Sequence, residues 1–121
     1  MYAEKITIAL LTDGSGDMTA YSVPATGRIL TVAYTKIDFT DGVDFTVTLE
    51  RHGEAIWAQS NVNASTVKYP RVPVQDEVGA DATLDGTRKM REPVTAAFDR
   101  VKVVIAQGGA AKTGTLTVVV G

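Results

Sequence analysis

His52 is the only histidine of the chain and stands in Arg51-His52-Gly53-Glu54, a segment with the composition of a tight turn. General acid–base chemistry near neutral pH most often uses this side chain, but a nucleophile–base–orienter set also needs a hydroxyl and a carboxylate beside it. The spacing supplies neither, so His52 reads as a surface turn residue and the chain as not an enzyme. Asp13-Gly14-Ser15-Gly16-Asp17 sets oxygen ligands at alternate positions, as calcium loops do. The acid that such a loop needs at its twelfth position is replaced by Pro24, which favours a plain Asp-Gly turn over a metal site. In Gly109-Ala110-Ala111-Lys112-Thr113-Gly114, alanine stands where a phosphate-binding loop needs glycine before its lysine, and a strand follows instead of a helix. The reading is a loop with no cofactor.

Arg88-Lys89-Met90-Arg91 is the only basic cluster. It is either a solubilising loop tip or a clamp on an acidic protein surface, with the arginines forming bidentate pairs and Met90 an adaptable apolar contact. Asp38, Asp41 and Asp44 form an acidic group that reads as a solvated edge, discouraging sheet-to-sheet pairing. With 12 Lys+Arg against 14 Asp+Glu the net charge is -2, too little positive field to hold a nucleic acid, so protein is the expected partner. Cysteine is absent, which removes disulfides and thiolate chemistry together. The first apolar run, residues 6–11, is too short and wrongly flanked for a signal peptide or a spanning helix, so no membrane is expected and synthesis in a cytoplasm is.

The elements that must position these groups are strands. The chain's 121 residues suffice for one domain and are too few for two. Val43, Phe45, Val47 and Leu49 alternate with Asp44, Thr46, Thr48 and Glu50, the period of a strand with one buried face. A one-residue slip would expose all four, at about 1.5–3 kcal/mol each, so the register is strongly set. Similar sets are Ile6, Ile8, Leu10; Leu30, Val32, Tyr34; Val101, Val103, Ile105; and Leu116, Val118, Val120. Ile56 and Trp57 lie in a further strand whose buried face the pattern leaves open. Val104 and Val119 interrupt the polar sides of their strands, which points to cover of part of the outer face by a second layer, a loop or another subunit.

Turn chemistry at Asp41-Gly42 and His52-Gly53 predicts a three-strand meander, and Gln107 to Gly114 a closing hairpin. Residues 61–93 differ. They hold Pro70, Pro73 and Pro93 of the four prolines, with only a weak strand candidate at 67–74, and read as an extended arm plus a long loop between two halves of the domain. Loops of this kind are usually functional or disordered, so residues 76–92 are where a partner is expected. The fold class is all-β, an antiparallel β-sandwich; jelly roll, immunoglobulin-like sandwich and open barrel all fit short alternating strands.

Several segments together carry a family likeness: Leu11-Thr12-Asp13-Gly14-Ser15-Gly16-Asp17, Thr26-Gly27-Arg28-Ile29-Leu30, Asp41-Gly42-Val43-Asp44-Phe45-Thr46-Val47, Ile56-Trp57, Asn61-Val62-Asn63-Ala64-Ser65 and the run from Phe98 to Gly109. The chain resembles small virion structural proteins of tailed bacteriophages and prophages, in particular head decoration (cement) proteins. The likeness spans most of the chain and is one of overall pattern. It implies a jelly-roll-like sandwich, a homo-oligomer (dimer or trimer), the major capsid protein or other virion proteins as partners, and a place in the virion. Under it, Arg88, Lys89, Met90 and Arg91 of the 76–92 loop, with the N-terminal segment, would touch the capsid, and Val104 and Val119 would lie between subunits. A tail-associated or head–tail joining component and a carbohydrate-binding β-sandwich module are the alternatives. Trp57, Tyr2, Tyr21, Tyr34 and Tyr69 are spread along the chain without the cluster that a sugar platform needs.

Overall fold

The computed structural model describes residues 3–83 and 86–121, and the apolar alternation of the sequence becomes its set of strands. These are β1 (Glu4–Leu11), β2 (Met18–Tyr21), β3 (Ala25–Lys36), β4 (Val43–Leu49), β5 (Ala55–Val62), β6 (Thr66–Lys68), β7 (Val72–Pro73), β8 (Arg91–Glu92), β9 (Val94–Asp99), β10 (Val101–Ala106) and β11 (Thr113–Val120). Among the described residues there is no helix, and every strand pairing is antiparallel.

One sheet runs β1-β11-β3, and the far edge of β3 is shared in tandem by β6, opposite residues 32–34, and by β9, opposite residues 25–29. The second runs β2-β10-β4-β5. Their inward side chains form one apolar core, an arrangement consistent with a β-sandwich. At its centre Phe45 stacks on Trp57 at 4.9 Å between ring centroids and lies 4.6 Å from Tyr34. Aromatic burial of this kind is among the largest single contributions a small core receives.

The pairing has a simple rule. β1 pairs β11, β2 pairs β10, β3 pairs β9 and β6, and β4 pairs β5, so the first half of the chain lies against the second half in reverse order. The chain is one long hairpin, doubled at the His52-Gly53 turn and rolled up. This corrects the expected meander and the closing hairpin. β3 and β4 lie in different sheets, as do β10 and β11, so Asp41-Gly42 and residues 107–112 carry the chain across the core. An Asp-Gly pair sets a left-handed backbone at Gly42 (φ 92°), but that does not decide whether the flanking strands pair.

Two ends close the roll. At one, the crossings 11–18, 36–43 and 106–113 are laced together: Thr12 N donates to Lys112 O (2.9 Å), Gly108 N to Gly16 O (2.9 Å) and Thr40 N to Gly108 O (3.1 Å). Gly114 is needed there because a Cβ would sit 2.7 Å from Phe39 Cε2. At the other end the polar groups are buried. The Asp99 carboxylate, 6% exposed, accepts from the amides of Arg100 (2.8 Å) and Arg51 (3.3 Å), and Ser22 Oγ accepts from Val101 N (2.9 Å).

One local expectation also changes, and one point left open is decided. In β3 the core position belongs to Ile29, fully buried, while Leu30 is half-buried, because an irregularity against β11 inserts one residue there. In β5 both Ile56 and Trp57 are buried, since a register shift opposite residues 47–48 of β4 puts consecutive side chains inward.

Candidate functional site

Residues 69–93 leave the sheet edge between β6 and β9 and return to it, forming an arm. Its root is anchored: Pro70 is buried, Val72 packs against the core, and the Arg71 guanidinium donates to Leu30 O (3.2 Å). β7 and β8 then pair through Val72–Glu92 and Pro73–Arg91. Beyond them three backbone segments close a ring of hydrogen bonds. Val74 N donates to Met90 O (2.9 Å), Met90 N to Ala82 O (3.2 Å), and Ala82 N to Val74 O (2.7 Å). Single bridges Gln75–Asp81 and Thr83–Lys89 extend two of its sides.

Each turn of the arm is set by its own chemistry. Asp76 Oδ1 accepts from Val78 N (2.9 Å) and Ala80 N (3.0 Å), with Gly79 at φ 87° supplying the left-handed residue. In the second turn Thr83 Oγ1 accepts from Gly86 N (3.1 Å), and Gly86 has φ 88°. Asp81 ties the three limbs by accepting from Lys89 Nζ (2.9 Å) and Gln75 Nε2 (3.1 Å). The Lys89 ammonium, then the Gln75 amide, hold the Asp81 carboxyl below the usual carboxylate range. The arm and long loop read from the sequence thus carry short bridged segments of their own. Short bridges separated by glycine and proline leave no alternation to read, yet they join Val74, Ala82 and Met90 through their backbones.

The basic cluster is placed on the last limb of this arm, before its return to the sheet edge. Lys89 is spent on Asp81, Met90 is 40% exposed, Arg91 pairs its backbone with Pro73, and Arg88 stands exposed near the second turn. Val78, 82% exposed, caps the first turn. Leu84 and Asp85 of the expected contact loop, and Met1 and Tyr2 of the expected N-terminal contact, lie outside the described residues. The ensemble can bury a small apolar patch and offer guanidinium groups to carboxylates.

Val104 and Val119 are not brought together. Val104 lies on the outer face of β10 between Thr19 and Thr46, beside a shallow depression of about 430 Å³ that Asp13, Asp17 and Met18 also line. Val119 lies on the outer face of the other sheet, between Lys5 and Thr31. Asp13 is occupied by its own turn, accepting from Ser15 N (2.8 Å) and Asp17 N (3.1 Å), and the Asp17 and Ser15 amides lower its pKa. The acidic group is likewise engaged: Asp41 pairs with Lys36 at 2.7 Å, Asp38 is held low by the Thr113 amide, and Asp44 accepts from Asn61 N (2.9 Å). That last bond seats Asn61 at φ 58° where β5 bulges, so Asp44 is structural as well as solvated. His52 is exposed in the apex turn. Trp57 belongs to the core and offers no sugar platform.

One feature gave no sequence signal. Phe98 lies in β9 at φ 49° and is 66% exposed, thrust outward where the β3–β9 register shifts. Beside it Arg100 covers the Tyr21 ring at 4.2 Å and pairs with Glu50, which holds the Glu50 carboxyl below its ordinary value. An exposed aromatic held in a costly backbone state is invisible to a pattern count. A scan against protein-family models finds no match to the chain, and a search of curated proteins finds none either.

Proposed function

We propose that the chain is a virion component of a tailed phage, a head decoration protein that grips the assembled shell through its arm. The observation that carries this reading is the arm itself: hydrogen-bonded within, rooted in the core, and presenting Val78, Met90, Arg88 and Arg91 to solvent. A segment ordered before contact loses less conformational entropy on docking than a free loop. The fold supports the reading by analogy. We take the roll to be a jelly roll, since β1-β11-β3-β6 facing β2-β10-β4-β5 is the order produced by rolling an eight-strand ribbon, with β6 and β9 sharing one place. Capsid proteins use that architecture widely, although unrelated proteins use it too.

The mechanism would be mass action. A protein that binds the assembled shell better than its free subunits stabilises the shell by the difference in binding free energy, and repeated copies add avidity. The test is co-sedimentation with expanded shells of the phage that encodes the chain, using the intact protein and a deletion of residues 78–90. That deletion leaves Pro73 and Arg91 paired and joined by a tight turn, so the body should keep its fold. Saturable binding by the intact protein, lost on deletion, is expected. Absence of shell binding, equal binding by both proteins, or only about a dozen copies per particle would overturn the decoration reading.

A further inference from the structure

Short of Arg28, beyond the irregularity in β3, the outward face of the β1-β11-β3-β6 sheet carries little charge. Its register defines rows across the strands: Thr7, Thr117, Ala33 and Val67 form one, and Ala9, Thr115 and Thr35 the next. Leu11 and Thr113 end the face on one side; Lys5, Val119 and Thr31 end it on the other, and Lys5 is the one charged residue in these four rows. Leu11 is 61% and Val67 51% exposed. The outer face of the second sheet is different, with Lys102 and Asp44 within it and Glu50 and Arg100 paired at its rim.

We propose that this threonine-rich face is the surface on which two copies of the chain pair, sheet against sheet. Its extent suits that occupant. Three strands of about eight facing residues and the three residues of β6, at about 4.8 Å spacing and about 3.4 Å rise, give roughly 440 Å² in projection, and more as accessible surface. That approaches the roughly 800 Å² each partner contributes to a standard interface. Its charge suits it as well. A symmetric contact sets a face against itself, so charges on it bring like charges together, and four rows with a single lysine at one end keep that repulsion small. A different protein partner is normally selected by a pattern of charges, which this face does not possess. Threonine, alanine and valine are short enough for sheets to approach to about 10 Å, and threonine hydroxyls facing one another can exchange hydrogen bonds. The pairing does not depend on what the arm grips.

The test uses the full chain in sedimentation equilibrium across a wide concentration range, with Thr117→Arg and, on the other sheet, Thr46→Arg. A dimer is expected, weakened by roughly a hundredfold in Thr117→Arg and unchanged in Thr46→Arg. Circular dichroism melts report whether each variant folds. Because the chain has no cysteine, Thr117→Cys provides an independent readout: its reaction with a thiol reagent should slow as protein concentration rises, while that of Thr46→Cys should not. A monomer at every concentration, a dimer indifferent to Thr117→Arg, a trimer, or concentration-independent labelling at Thr117→Cys would each overturn the pairing.

Discussion

Val103 in β10 is fully buried in the rolled body, whereas Val78 on the arm is 82% exposed, yet both regions are laced by backbone hydrogen bonds. The body is held by apolar burial between two sheets; the arm is held by a hydrogen-bond ring, two side-chain-capped turns and Asp81. Burial scales with the area removed from water, while an exposed hydrogen bond exchanges against water for little net gain. Ordered structure in this chain therefore comes in two grades. One must resist unfolding as a unit, and the other can open locally without cost to the rest.

The largest effect should come from Phe45→Ala in the body, which removes the ring between Tyr34 and Trp57 and should cost about 3–5 kcal/mol in urea unfolding. Next is a pH effect. Burial, aided by Asp38, pushes the Tyr34 phenol up to about 12, and its hydroxyl has no hydrogen-bond partner. The neutral form is thus favoured in the folded state. Between pH 10 and 12 the unfolded chain releases a proton that the folded one retains, so stability should fall with rising pH by an amount on the order of 2 kcal/mol. Tyr34→Phe should flatten that fall and cost little at pH 7, both read by denaturant titration. A loss at pH 7 above about 2 kcal/mol would mean that the hydroxyl has a partner.

Gly114→Ala should cost about 1–3 kcal/mol through its clash with Phe39, and Phe39→Leu should restore part of it in a double-mutant cycle. Phe98→Gly should raise stability by about 0.5–1 kcal/mol by releasing the left-handed strain, and unchanged stability would show the exposed ring to be held by packing. The smallest effect belongs to deletion of residues 78–90, expected within about 1 kcal/mol in urea unfolding. A larger loss would erase the distinction between body and arm.

The strands of the body were legible because burial on one face writes a period of two into Val43 to Glu50 and its counterparts. The sheet assignment was not. Asp41-Gly42 announces a reversal, but whether the chain returns beside β3 or crosses to the other sheet depends on β10 and β11, which come some sixty residues later. Leu30 was misread because a bulge moves the inward position to Ile29, and bulges leave no mark in composition. The basic cluster was found by charge alone, and the Asp81 that organises it was missed, since one aspartate among several has no distinguishing context in a sequence. Phe98 and the buried Asp99 were missed for the same reason: each matters through what surrounds it in space.

β11 is the middle of its sheet, flanked by β1 and β3, and pairs residue 4 with residue 120. During synthesis the earlier strands must wait with a gap between them, since neither β1 nor β3 has its inner neighbour until β11 emerges. That gap has two open strand edges and an uncovered core, and any extended chain nearby could fill it in place of the missing strand. The topology thus places the main hazard of this protein before β11 is in place, and its rate of folding should be governed by the slow closure of its most distant contact.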